Sequence, residues 1–262
     1  MPEGDNLARI SDVLRRSLVD QTVTGARGRA NAQFSRLLGS RVNDVEARGK
    51  HLLIGFDNGL TLHTHLGLHG SWHRYRPGER WWRAPSRAGA VVETSSTVAV
   101  CFDPITVELM DTRAVAIHPA LASLGPDAST ADFDVDEALR RLDAADKTEM
   151  PIGDALLDQK VLAGVGNVIR SEACFIERAN PFRPVAQVNE ATRRRLIERS
   201  AAILRANRGG GARVTTAPGS PGRLYVYNRT GRPCLRCGTL IKSDISGGGR
   251  RVYWCPNCQP AD

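Results

Sequence analysis

Four cysteines near the end of the chain constrain its fold more than any other feature. They read Cys234-Leu235-Arg236-Cys237, then seventeen residues, then Cys255-Pro256-Asn257-Cys258. That spacing falls within the C-x2-C-x15–20-C-x2-C window of a four-thiolate zinc site. Each C-x-x-C closes a tight loop that sets two sulfurs on one tetrahedral edge, and the intervening hairpin brings the second pair across. Two disulfides are the competing arrangement. They fit poorly with an N-terminus, Met1-Pro2-Glu3-Gly4-Asp5, that is acidic and lacks the basic-then-apolar order of a secretory leader. One structural Zn2+ is therefore expected. A ribbon of fewer than about 40 residues has little core of its own, so the metal supplies most of its folding energy. Cys101 and Cys174 stand alone in apolar surroundings and read as small buried hydrophobes.

The ribbon is also basic. Lys242, Arg250 and Arg251 flank Gly247-Gly248-Gly249 between the cysteine pairs. A basic hairpin tip beside a structural metal reads as a nucleic-acid finger, with a solvated turn as the alternative. The whole chain agrees: 36 Lys+Arg against 28 Asp+Glu leave a formal charge of +8, and the isoelectric point is about 9.6. Such a charge attracts polyanions. It leaves DNA, RNA and anionic lipid open as partners. Aromatic residues make up only 5%, which argues against a surface built mainly from base-stacking platforms. No apolar run approaches the ~18–20 residues that cross a bilayer, so no membrane partner is expected.

Upstream, apolar periodicity divides the 262 residues. Leu7, Ile10, Leu14 and Leu18 give a first helix one apolar face. From Val42 to about Ile117 short apolar runs follow, among them His51–Phe56, Leu60–Leu66, Val98–Phe102 and Val107–Met110. Asp57-Asn58-Gly59 between two of them signals a hairpin. This half reads as a two-layer antiparallel β domain. A stretch rich in Gly, Pro and Ser follows, and helical patterns resume at Val135–Leu142, Ala155–Leu162, Val168–Ala179 and Glu190–Ala206. The expected fold is α+β and multidomain. Residues 1–120 form a helix plus β-sandwich, 121–134 a linker, 135–224 a helical domain and 225–262 the ribbon.

Three constellations could carry chemistry. Gly164-Val165-Gly166-Asn167 sits between two helical patterns, where backbone N–H groups and a helix start favour a phosphate. A plain helix–helix turn capped by Asn167 is the simpler reading of those residues. His63, His65, His69 and His73 crowd one segment. No carboxylate lies near them at ligand spacing, so a phosphate-donating histidine is expected rather than a second metal. Third, removal of Met1 would expose Pro2 as a secondary amine. A neutral amine can attack a sugar C1′ and form an iminium, and Glu3 beside it could shuttle protons.

Taken in order, Pro2-Glu3-Gly4, Arg48-Gly49-Lys50-His51-Leu52-Leu53, His65-Leu66-Gly67-Leu68-His69-Gly70, Leu157 to Asn167 and the ribbon span the chain. Together they closely resemble the formamidopyrimidine-DNA glycosylase / endonuclease VIII family, and Tyr253-Trp254-Cys255-Pro256-Asn257-Cys258-Gln259 is close to its endonuclease VIII branch. The stretch Leu157–Asn167 looks like that family's helix–two-turn–helix. The resemblance implies a bifunctional base-excision-repair enzyme, a DNA glycosylase and abasic-site lyase acting by β- and δ-elimination. Oxidised pyrimidines are implied more than purines. Pro2 would be the nucleophile and Glu3 the general acid/base, with Lys50 close to the reacting phosphate. His65, Asn167 and Arg250 would grip phosphates around a flipped nucleotide, and Leu68 would fill the gap it leaves. DNA would lie in the cleft between the two halves, with the loop Arg208–Arg223 closing over the base. Damaged DNA, double- or single-stranded, is the implied partner of a monomer in the cytoplasm, held at the nucleoid through DNA. In one departure, Asp111-Thr112-Arg113 runs into Ala114-Val115, so the second wedge of some relatives is absent. Gly67 and His69 flank Leu68 in place of bulkier groups. Both changes imply a preference for single-stranded or bubble DNA. A catalytically silent DNA-binding scaffold of the same fold, or a zinc-ribbon RNA-binding protein, are the alternatives.

Overall fold

A computed structural model describes residues 2–29, 31–246 and 249–260. The chain divides into two compact units, Met1–Ser123 and Leu124–Asp262. Met1 and the Gly247-Gly248 pair of the expected hairpin tip lie outside the described residues.

The first unit opens with helix α1 (Gly4–Leu18), whose Leu7, Leu14 and Leu18 are buried as their spacing demands. Strand β1 (Gly25–Gly28), a helical turn α2 (Asn31–Phe34), and strands β2 (Val42–Arg48), β3 (His51–Phe56), β4 (Leu60–His65), β5 (Ser71–Tyr75), β6 (Ala88–Glu93), β7 (Val98–Phe102) and β8 (Thr106–Asp111) follow. They pair into two four-stranded antiparallel sheets, ordered β2-β3-β4-β8 and β1-β6-β7-β5. Alternation fixes the inner faces. Leu52, Ile54 and Phe56 of β3, and Leu60 and Leu62 of β4, meet Val92, Ala99 and Cys101 of the other sheet in one core that α1 closes. The hairpin forms at the expected turn, where Asn58 Oδ1 accepts the Leu60 N–H at 3.2 Å. One consequence is central: Thr61, His63 and His65 of β4, and His51 of β3, share the face turned away from that core.

A short α3 (Pro119–Ala122) ends the first unit, and the second holds α4 (Val135–Leu142), α5 (Ile152–Ala155), α6 (Asn167–Ile176) and α7 (Glu190–Ala206). Side-chain caps start two of these helices: Asp134 accepts from Glu137 N and Asn189 from Thr192 N. Leu139, Leu142, Leu156, Ile169, Leu196 and Leu204 join in their common core. The helix expected over Ala155–Leu162 is not formed. Helix α5 ends at Ala155, and the chain then turns. Side chains there take the backbone's hydrogen bonds: Asp158 Oδ1 accepts from Lys160 N at 2.9 Å, and Gln159 Nε2 donates to Val165 O at 3.0 Å. The unit ends in a two-stranded ribbon, β9 (Lys242–Ile245) paired antiparallel with β10 (Arg251–Trp254).

Candidate active site

Pro2 and Glu3 stand at the foot of α1. The Glu3 carbonyl accepts the first helical hydrogen bonds, from Asn6 N at 3.0 Å and Leu7 N at 3.1 Å. Glu3 is wholly buried. Pro2 is only half-buried and lines a cleft of about 350 Å3 with Asn6, Arg9, Gly70, Trp72 and His73. Gly70 closes the turn that joins β4 to β5. Its N–H donates to Leu66 O at 2.9 Å, and a Cβ at position 70 would meet that oxygen at 2.3 Å, so only glycine fits. Gly67, at φ +60°, makes the other corner. Between them Leu68 stands 61% exposed. The sequence pattern thus sets an apolar side chain in solvent on a turn that adjoins the Pro2 cleft.

Lys50 occupies the β2–β3 turn, one residue before His51, whose register partner on β4 is His65. The two rings lie 4.8 Å apart. Burial first, then the Lys50 and His63 charges, push the His65 pKa down to about 4. His65 is therefore neutral near pH 7. Its tautomer follows from geometry: Gly67 N–H donates to His65 Nδ1 at 3.1 Å, which leaves the ring proton on Nε2 as a donor.

The histidine cluster contains a group absent from the sequence expectation. The carboxylate that spacing does not supply arrives from β8: Glu108 Oε2 lies 2.8 Å from His63 Nδ1 and 3.1 Å from His118 Nε2. His63 Nε2 in turn meets His51 Nδ1 at 2.8 Å. His69 and His73 take no part in this cluster.

In the second unit, Asn167 is the first residue of α6, one position inside the cap, which is Gly166. Its Nδ2 donates to Arg251 O at 2.9 Å, joining the helix start to the ribbon, and its Oδ1 accepts from Arg170. Arg170 is fully buried and also donates to Asp154 Oδ1 at 2.8 Å and Ser246 Oγ at 3.3 Å. Arg250 is exposed, while its carbonyl accepts from Ser246 N at 3.0 Å. Two turns of helix and one ribbon turn are thereby held as a single polar cluster.

Glu172, also on α6, is wholly buried. Its carboxylate accepts the N–H groups of Tyr225, Val226 and Tyr227, each at 2.8 Å, and the Thr215 hydroxyl. Sequence reasoning passed over Arg170 and Glu172. Their signal was present: both are charges inside the largely apolar run of residues 168–176, and a charge there requires a buried partner.

The ribbon's sulfurs converge. Cys237 Sγ lies 3.5 Å from Cys255 Sγ, and Cys234 Sγ 3.9 Å from Cys258 Sγ. A tetrahedron with Zn–S of about 2.3 Å has edges near 3.8 Å, so the donor set fits zinc. Hydrogen bonds led by Thr239 hold Cys237 down to about 5, whereas burial pushes Cys258 up to about 12. A bound cation favours the thiolate form of all four. These cysteines make the site of one structural zinc ion.

A helix-led β-sandwich, a helical unit and a four-cysteine ribbon, in that order, define the architecture of a DNA glycosylase of the helix–two-turn–helix class. Family models agree along the chain. Residues 1–116 match the formamidopyrimidine-DNA glycosylase N-terminal domain, 124–216 its H2TH domain, and 231–261 the zinc finger found in FPG and IleRS. Among curated relatives, the DNA-(apurinic or apyrimidinic site) lyase Nei2 of Mycolicibacterium smegmatis is 40% identical over 267 residues, covering 100% of both chains. The probable endonuclease 8 2 of Streptomyces coelicolor is 38% identical, over 99% of this chain and 94% of that protein. The fold matches the Lactococcus lactis Fpg solved with N7-benzyl-Fapy-dG DNA, with a TM-score of 0.84 at 24% identity, covering 99% of this chain and 100% of that one. This chain belongs to the formamidopyrimidine-DNA glycosylase / endonuclease 8 family.

Proposed function

We propose that this protein is a bifunctional DNA glycosylase and abasic-site lyase of base-excision repair, with Pro2 as its nucleophile. The observation that carries the reading is the full-length kinship with endonuclease 8 proteins and an abasic-site lyase, in a chain that keeps Pro2 at the edge of an open cleft. In this reading the Pro2 amine attacks C1′ of a flipped nucleotide as the glycosidic bond breaks. The base leaves with a proton, and an iminium joins Pro2 to the opened sugar. Loss of a C2′ proton then expels the 3′ phosphate, and a second elimination releases the 5′ phosphate. Glu3, buried beside Pro2, serves as the proton donor and acceptor. Lys50 and the Nε2–H of His65 meet the phosphates near the reacting sugar, Leu68 fills the vacated stack, and Arg250 and the second N–H of Asn167 hold the flanking backbone. The substrates are oxidised bases, pyrimidines ahead of purines, with single-stranded or bubble DNA favoured because Leu68 works without a second wedge. The protein acts as a monomer in the cytoplasm, at the nucleoid. Residues 1–120 carry the chemistry, and 135–224 and 225–262 hold DNA across the 121–134 linker.

Borohydride trapping on abasic-site DNA tests this, because it needs no base excision. Protein shown by mass spectrometry to lack Met1 should form a covalent adduct. Blocking the terminus with a retained Met1 should reduce the adduct to background while DNA affinity changes little. Trapping by the blocked protein at the unblocked level would move the nucleophile to a lysine, Lys50 first.

A further inference from the structure

The outer face of the β2-β3-β4-β8 sheet carries a cluster that the reaction above does not use. His63 comes from β4 and Glu108 from the facing position of β8. His118 follows the 3-10 segment Thr112–Ile117. One donor atom from each residue lies within 4.8 Å of the other two, and Glu108 Oε2 is 2.8 Å from His63 Nδ1 and 3.1 Å from His118 Nε2. We propose that His63, Glu108 and His118 form a second metal site, for one divalent transition ion, distinct from the ribbon's structural zinc.

Four features support it. The donor set, two imidazoles and one carboxylate, suits zinc, cobalt or nickel and leaves a fourth position for water. The ligands come from β4 and from the stretch that runs from β8 to His118, 45 residues away from His63 at Glu108, so ion binding ties distant parts of the chain together rather than stiffening one loop. His63 is 1% exposed, and its other nitrogen meets His51 Nδ1, the outer hydrogen bond that orients a metal-binding imidazole. Finally, the way in is open, because the Glu108 side chain is 44% exposed.

Ion binding needs the imidazole lone pairs that now carry protons toward Glu108. Burial lowers the His63 pKa against the pull of Glu108, in the direction that favours the neutral ring. On binding, the His63 proton moves from Nδ1 to Nε2, and His51 Nδ1 accepts it as that ring's own proton passes from Nδ1 to its Nε2. His118 would bind through Nε2 and carry its proton on Nδ1, a buried atom with no hydrogen-bond partner among the described residues. Without a metal, Glu108 accepts from both rings and the cluster is a hydrogen-bonded chain ending at His51, next to Lys50. An ion would pull Glu108 and His63 onto itself and fix that chain two residues from His65.

Metal counting on the full-length, untagged protein decides the matter. Under equilibrium dialysis against Zn2+, the wild type should take up a second ion beyond that of the ribbon. Glu108→Gln and His118→Ala should retain only the ribbon's zinc, and thermal unfolding confirms that both variants fold. Co2+ added to wild type that holds zinc in the ribbon alone should produce visible d–d absorption without a thiolate charge-transfer band, and the variants should not. A wild type that holds only the ribbon's ion overturns the proposal, as do variants that bind the second ion as the wild type does. Neither outcome depends on abasic-site trapping, so this inference and the proposed chemistry fail separately.

Discussion

The β-sandwich and the zinc ribbon are both antiparallel β structures, yet they are held by different physics. In the sandwich, nineteen buried residues among those described form one shared core, from Leu7 through Ile54 to Cys101. Its stability is spread over many contacts of comparable size, and the loss of any one is partial. The ribbon's buried cluster is small: Phe175, Val226, Cys234, Ile241 and Cys255, of which two are metal ligands and one belongs to α6. Stability there is concentrated in a few bonds. In the sandwich, chemistry and folding can therefore be separated by mutation. In the ribbon, removing the metal removes the surface that carries Arg250.

The sharpest way to break this contrast is Cys255→Ser. Apparent zinc-binding energies in such fingers run to ~10–16 kcal/mol, so the ribbon should unfold and DNA affinity fall. Sandwich amides should keep their exchange protection. Equal loss of protection in Leu52–Ile54 would mean that the two regions are not energetically distinct.

Glu172→Ala should have a smaller effect. It strands three backbone N–H groups and a hydroxyl, at a cost of about 3 kcal/mol or more, read as a lower denaturant midpoint for the helical unit. A shift comparable to that of an exposed substitution would show that water readily replaces the carboxylate.

The smallest effect is expected from Arg250→Ala. The ribbon should stay folded and binding should weaken alike on every sequence, because a phosphate contact carries no base information. The slope of log affinity against log salt should become shallower by ~0.9. A changed base preference at constant slope would place Arg250 at a base edge.

What the sequence disclosed and what it concealed follow the distance along the chain over which each feature is built. The cysteine pairs, the Asp57-Asn58-Gly59 hairpin and the face of α1 are local, and their spacing alone specifies them. The partner that sets the His65 tautomer is local too, Gly67, two residues away. The partners of His63 are different. Glu108 is 45 residues distant, and only strand register brings it alongside. The backbone partners of Glu172 are 53 to 55 residues away. Strands β1 and β5 escaped notice because Gly25–Gly28 and Ser71–Tyr75 lack clean apolar alternation. The false helix at Ala155–Leu162 had the right periodicity, but Asp158 and Gln159 offered the backbone a better arrangement.

Glu172 has one more effect, on the loop that the family resemblance expects to close over a base. The carboxylate holds Thr215 at one end and Tyr225–Tyr227 at the other. Thr215 N also donates to Arg223 O at 2.8 Å. Residues 216–224 are thus a ring fastened at a single pin, not a strand free at one side. Most of the entropy of bringing such ends together is lost on folding. Any movement toward DNA is then a tilt about the α6 carboxylate, with a short arc and a small ordering cost. Residues 225–227, which belong to no helix or strand, should exchange their amide hydrogens as slowly as a helix interior.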